Sequence, residues 1–190
     1  AAEYAEVEAA LAPLPMPVFA VPGNHDDPKL AREALPRCMP VAPDAPEGVC
    51  CYHVRQGGLH LVALDTVVPR RSHGALSTGQ LDWLSRTLRA CAGEPVLLFM
   101  HHPPLPTGIE AMDACSLLEG TEALAALLRQ HGAVQGLLCG HLHRPVQMVF
   151  GGAPLPSWLT LTGRTFTGTP PLNYNGILDI VVTASDGSLG

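Results

Sequence analysis

Lysine is almost missing from this sequence: Lys29 alone stands with ten arginines against 17 acidic side chains, and the formal charge is −6. Without clustered cations the chain cannot displace the counterions of a polynucleotide over a broad face, so a nucleic-acid surface is excluded. A small anionic substrate stays open, provided a local positive centre exists to receive it. Long apolar runs are missing too. The longest, such as VLLFM, fall far short of the roughly 18 residues that cross a bilayer, so no membrane partner is expected. No C-x-x-C pair occurs among Cys38, Cys50, Cys51, Cys91, Cys115 and Cys139, which read as buried free thiols of a reducing compartment. No charged stretch followed by an apolar one opens the chain, and the expected location is the cytoplasm. There is no G-x-S-x-G elbow, Cys-His motif or Walker A loop, and Arg144-Pro145 after His143 excludes an H-x-H-x-D-H metallohydrolase. The scarcity of Lys in an Ala-, Pro- and Gly-rich background points to a GC-rich bacterial coding sequence.

What is present suffices for a core: 190 residues, 47% apolar and 15% charged, are enough for one continuous interior. Tyr4, Val7 and Leu11 have helical spacing, closed by prolines 13, 15 and 17; the chain opens on Ala and reads as starting inside that helix. MPVFAV reads as a buried strand and Pro28 to Leu35 as a short helix. CYHVRQ and LHLVALD, joined by Gly57-Gly58, read as a hairpin. TGQLDWLSRTLRA places Leu81, Leu84 and Leu88 on one helical face. PVLLFM is a second buried strand, followed by a long loop with Gly108 and Asp113. TEALAALLRQHG is a helix closed by Gly132, and AVQGLLCG a third buried strand. The remainder is β-rich, with turn chemistry at Asn173 to Gly176. The strands PVFA, VLLFM and GLLC each run into a polar loop containing histidine, and ligand sites in open α/β sheets collect beyond such carboxyl ends.

Each loop has more than one reading. In Gly23-Asn24-His25-Asp26, Asn24 and Asp26 are turn formers or helix caps before Pro28, or else Asn24 is a neutral oxygen ligand and His25 a proton donor. In His101-His102-Pro103-Pro104 a single strand-end histidine would be structural, but two pinned by prolines hold an imidazole toward an ion at reduced entropic cost. In Gly140-His141-Leu142-His143, an extended backbone would point both imidazoles to one side, roughly 6.5 to 7 Å apart. That suits one metal, or two metals about 3.5 to 4 Å apart. Asp65 reads as a turn or loop anchor, with a ligand role as the alternative. Arg71, His73, Asp113 and Arg144 read as solvated loop residues, with contact to a phosphate or nucleobase as the alternative.

GNHD, HHPP and GHLH, in this order, resemble the last three motifs of the calcineurin-like metallophosphoesterase family. LDT at 64 to 66, GxxxTGQLDWL at 74 to 84, and HHPP with GI and MD downstream are similar in particular to bacterial class III cyclic nucleotide phosphodiesterases. The match covers nearly the whole chain, so residues 1–190 are expected to be a single domain. The resemblance implies an α/β fold, a sandwich of two mixed β-sheets flanked by helices, here lacking the first β-α-β portion. It implies metal ligation by Asn24, His101 and His141 at one ion of a two-metal centre and by His143 at the other, with His25 as the catalytic residue beside the leaving oxygen. His102 would support a ligand and not be one. The family's D-x-H and G-D-x-x-D motifs do not occur here before GNHD, and Glu3, Glu6 and Glu8 do not replace them. The expected cofactors are therefore two Fe, Mn or Zn ions in the intact family site, and one, held weakly, by these neutral ligands. The implied activity is metal-dependent hydrolysis of a small phosphodiester, such as a 3′,5′-cyclic nucleotide like cAMP, by hydroxide attack on phosphorus. The alternative is a non-catalytic remnant serving as a binding or interaction module. A small phosphodiester is the expected partner, and homodimerisation stays open.

Overall fold

The structure, a computed structural model, describes residues 2–143, 146–148, 159–162, 165–168 and 180–183. Five helices accompany ten strands among them: α1 Ala2–Leu11, α2 Pro28–Ala34, β1 Tyr52–Gln56, β2 Leu59–Leu64, β3 Gly74–Ala75, α3 Thr78–Ala90, β4 Val96–Met100, α4 Glu110–Asp113, β5 Leu117–Glu119, α5 Thr121–Gln130, β6 Val134–Cys139, β7 Val146–Met148, β8 Leu159–Thr162, β9 Thr165–Gly168 and β10 Ile180–Thr183. The main sheet is mixed, with strand order β1-β2-β4-β6-β10-β7. Neighbours β2, β4, β6 and β10 are parallel, while β1 and β7 close the two edges antiparallel. The α/β class and the mixed sheet with flanking helices are as expected.

Strands β2 and β4 are apolar on both faces because both are covered, whereas β6 leaves Leu138 37% exposed on its second face. On one face Val62, Leu64, Leu98, Met100, Leu137 and Cys139 pack against Trp83, Leu84 and Leu88 of α3 and Leu124 and Leu128 of α5. Leu81 is half-buried at the margin of that cluster. On the other face Ala63 and Phe99 meet Ala31 and Leu35 of α2, together with Tyr4 and Leu11 of α1. Period-two alternation thus divides β2 and β4 between two clusters. α3 starts at a reciprocal cap: Ser77 Oγ accepts from the Gln80 N–H and Gln80 Oε1 accepts from the Ser77 N–H.

Three expectations are corrected. MPVFAV forms no strand; Pro17 lacks an N–H, and Ala20 is held by the Cys38 carbonyl and the Tyr52 hydroxyl in place of a ladder. The long loop after HHPP contains α4 and β5, and β5 pairs parallel with β3. α5 is capped by His131, not Gly132. The hairpin turn needs only one left-handed residue, Gly57 at φ +59°. The Asn173 to Gly176 turn lies outside the described residues.

Candidate metal centre

Register builds the site. β2, β4 and β6 are paired so that Leu64, Met100 and Cys139 stand side by side at their carboxyl ends. Two residues beyond each lie Thr66, His102 and His141, and these again form a row. Thr66 Oγ1 is 2.7 Å from His102 Nδ1, and the His102 and His141 rings are 4.9 Å apart. His101, one residue earlier on β4, turns toward the GNHD loop, where its Nε2 lies 2.9 Å from Asn24 Oδ1.

Asn24, His101 and His141 therefore meet. His141 Nδ1 is 3.2 Å from the same His101 Nε2. Donor atoms sharing one ion at about 2.1 Å stand roughly 3.0 Å apart at right angles and roughly 3.4 Å apart at the tetrahedral angle. The observed 2.9 and 3.2 Å match such an edge. Asn24 Oδ1 can only accept, so here His101 Nε2 is the donor; once that proton leaves, all three atoms offer lone pairs to one cation. Among the described residues His141 Nε2 is buried and has no hydrogen-bond partner, leaving a second polar atom to be satisfied at the cluster. Burial, then the neighbouring His141, pushes His101 down to about 4, and His141 is lowered by burial and by His143 and His25. Both imidazoles are neutral near pH 7, the form that ligates.

His102 is fully buried and spends both ring nitrogens on protein. Its Nε2 donates to the Ser72 carbonyl at 3.1 Å, so Nδ1 must accept from the Thr66 hydroxyl. Burial, reinforced by His101 and His141, lowers it to about 3. It packs edge-on against His101, with centroids 4.8 Å apart; one ligating atom from each of His101, His102 and His141 falls within 4.8 Å of the others, but both His102 nitrogens already hold protein partners.

His25 and His143 are exposed, and neither touches the trio through a hydrogen bond. Each still lies near enough to lower both His101 and His141 electrostatically. The extended H-x-H geometry is overturned. His141 has φ +72° and His143 φ +51°, and the Leu142 N–H donates to the Gly140 carbonyl across His141. This is the strained form of a three-residue turn. It buries Leu142 and His141 while turning His143 outward.

The carboxylates near the site are committed elsewhere. Asp65 accepts from the Cys50 and Val67 N–H groups, both at 2.9 Å, the anchoring role expected of it. Asp26 accepts from the Tyr4 hydroxyl and the Gly23 N–H, and Asp27, not Asn24 or Asp26, caps α2. Asp113 closes its own loop on Thr107 and Gly108. Arg71 is exposed and His73 half-buried; Arg144 lies outside the described residues. Sequence reasoning missed Thr66 and the glycines that make room for the rings. A Cβ on Gly23 would lie 2.8 Å from the His101 ring, one on Gly140 3.1 Å from it, and one on Gly74 2.5 Å from His102. The available signal was that GNHD and GHLH both open on glycine.

Residues 2–145 match the sequence model of the calcineurin-like phosphoesterase family. The chain is 35% identical, over 75% of its length and 51% of the relative's, to a probable glycerophosphodiester phosphodiesterase of Arcobacter nitrofigilis. It is 36% identical, over 75% and 52%, to a probable cyclic nucleotide phosphodiesterase of Synechococcus. A cAMP/cGMP dual specificity phosphodiesterase of Mycobacterium tuberculosis is 35% identical over 71% of this chain and 40% of its own. The chain thus spans about half the length of the curated relatives it matches. A crystal structure of a dimetal phosphatase from Danio rerio superposes with a TM-score of 0.59 at 18% identity, covering 88% of this chain and 60% of the other; that likeness concerns the fold.

Proposed function

Because the chain belongs to the calcineurin-like phosphoesterase family, we propose that it is part of a metal-dependent phosphodiester hydrolase acting on 3′,5′-cyclic nucleotides or similarly small phosphodiesters. The observation behind this reading is the meeting of Asn24 Oδ1, His101 Nε2 and His141 Nδ1 at coordination-edge distances. Asn24, His101 and His141 would hold one ion and His143 would reach another, the donor types suiting Mn, Fe or Zn. Bound there, such ions polarise phosphoryl oxygens and bring the pKa of water toward about 7. The substrate class rests on relatives named as cyclic nucleotide and glycerophosphodiester phosphodiesterases.

The chain's own residues then have separate tasks. His25, exposed at the GNHD turn, protonates or stabilises the departing alkoxide, a contribution of roughly 10²–10⁴ in rate. His102 and Thr66 keep the His101 ring in place. The strained turn at His141 fixes its imidazole before any ligand arrives, which lowers the ordering cost of binding. His141→Ala should abolish metal-dependent hydrolysis of an aryl phosphodiester, whereas His131→Ala, at the cap of α5, should leave it intact. Equal rates for the two variants would sink the assignment. A second reading, binding without turnover, draws on the all-neutral donor set, since Asp26 and Asp65 are tied to protein hydrogen bonds. Stoichiometric metal with no hydrolysis in the unsubstituted chain would decide for it.

A further inference from the structure

A second histidine cluster lies at the opposite end of the sheet. β2 runs from this cluster to the metal-centre end, and six residues of strand separate the two by roughly 20 Å. His53 on β1 and His60 on β2 are diagonal neighbours on the face covered by α3, since His53 pairs with Val62 and His60 with Arg55. Cys91, the residue that ends α3, comes down on them. His53 Nε2 is 2.7 Å from His60 Nδ1 and 4.0 Å from Cys91 Sγ. One ligating atom from each of the three residues falls within 4.8 Å of the others.

We propose that His53, His60 and Cys91 form a zinc-type metal site of two imidazoles and one thiolate, independent of the phosphoesterase centre. The hydrogen bonding aims the atoms. His60 Nε2 lies 3.0 Å from Glu94 Oε2, so Nε2 carries the ring proton and donates it to the carboxylate, leaving Nδ1 as a lone pair facing His53 Nε2 and Cys91 Sγ. A carboxylate behind a ligating imidazole is the usual arrangement for orienting it. Glu94 is itself held by Arg55, through Nε at 2.9 Å and Nη2 at 2.8 Å. A single turn supplies both thiol and carboxylate: Ala92 at φ +53° and Gly93 at φ +85° reverse the chain after Cys91 and return Glu94 over His60. Left-handed alanine is uncommon, and such strain collects at functional sites.

The fit to zinc is close. Tetrahedral ligation asks for about 3.4 Å between the nitrogens and about 3.6 Å between nitrogen and sulfur, so His53 moves out by under 1 Å and Cys91 in by less. His53 is half-buried and makes the larger move; His60, 7% exposed, fixes one corner, and Cys91, 1% exposed, needs the smaller adjustment. Binding releases one proton, from the Cys91 thiol, while the His53 proton shifts from Nε2 to Nδ1 so that the neutral imidazole ligates, and water completes the fourth position. A soft thiolate with imidazoles selects Zn over Mn or Mg.

Cobalt(II) titration of the chelator-treated chain reads the site directly, because a sulfur-to-cobalt charge-transfer band requires a thiolate. The band is expected at one equivalent, absent from Cys91→Ser, at least tenfold weaker in cobalt affinity for His53→Gln, and undiminished in His101→Ala. His53 is half-buried, so His53→Gln keeps the test valid if Cys91→Ser fails to fold. Loss of the band in His101→Ala, its survival in Cys91→Ser, or no band in the unsubstituted chain would each overturn the proposal. The outcome is independent of hydrolysis, so failure of the phosphoesterase reading leaves it standing.

Discussion

Gly23→Ala isolates His101 geometrically. A Cβ at Gly23 would stand 2.8 Å from His101 Cε1, 2.9 Å from Nδ1 and 3.1 Å from Nε2. Carbon contacts relax near 3.5–4.0 Å, so the ring must retreat by about 0.7–1 Å. The space left by the missing Cβ of Gly140, beside Nδ1, gives it room to retreat, and a ring shift of that size changes the contact of Nε2 with Asn24 Oδ1. Metal–ligand distances tolerate about 0.2 Å, so His101 leaves the ligand set. The expected loss is at least 100-fold in metal affinity, about 2.7 kcal/mol at roughly 1.4 kcal/mol per decade. Gly23 is not among the left-handed glycines, so alanine fits its backbone and the folding cost stays within the 1–3 kcal/mol or so of overpacking. The assay is competition for Mn against a chromophoric chelator in a Cys91→Ser background, so that only this centre titrates. Gly58→Ala is the control, with nothing within 4 Å of its Cβ. Equal Mn affinity for Gly23→Ala and Gly58→Ala would refute the placement of His101 among the ligands.

Thr66→Val should leave His102 Nδ1 and the His102 N–H without their shared partner and lower stability in urea by about 1–3 kcal/mol per group, while Thr66→Ser stays near the parent; equal midpoints would contradict the locked ring. Asp65→Asn should also lower the urea midpoint, because Cys50 and Val67 donate to different oxygens of Asp65 and one of these becomes an NH2 donor facing an N–H, yet leave metal affinity within about threefold; a tenfold affinity loss at unchanged stability would make Asp65 a ligand. Acid should destabilise the chelator-treated chain. His101 and His102 titrate near 4 and 3 in the fold but from 6.5 when unfolded, so the unfolded chain takes up protons first. Stability is full above about pH 6.5 and falls through the window from 6.5 down to 3, by about 1.4 kcal/mol per pH unit for each imidazole. Urea midpoints that hold steady from pH 6.5 to 4.5 would oppose this.

Residues with one dominant local cause were legible in the sequence. Leu84 and Leu88 sit where helical periodicity puts them, α2 begins at Pro28, and β4 and β6 are the apolar runs that were expected. MPVFAV was not legible because a strand needs a partner, and the ladder partner is a property of the fold. β5 failed for the opposite reason: three residues, mostly exposed, become a strand only because Gly74 N–H and Leu76 N–H reach Ser116 and Glu119. No window over LLE contains that information.

The same distinction explains the site. Which histidines stand at strand ends can be read along the chain, but which of them meet depends on register, since a slip of one residue would exchange His101 for His102 in the row with His141. The motif HHPP cannot choose between its two histidines by itself. The choice is made by Thr66 and Ser72, which occupy both nitrogens of His102, and by Gly23, whose missing Cβ admits the His101 ring beside Asn24. Likewise the two histidines of GHLH differ in burial because the turn at His141 is left-handed, a backbone state that sequence assigns by default to glycine. The proposed ligand set therefore depends on residues outside it. Exchanging those supports should disturb metal affinity before it disturbs the sheet, since Thr66, Gly23 and Gly140 all lie beyond the last paired residues of their strands or outside any ladder.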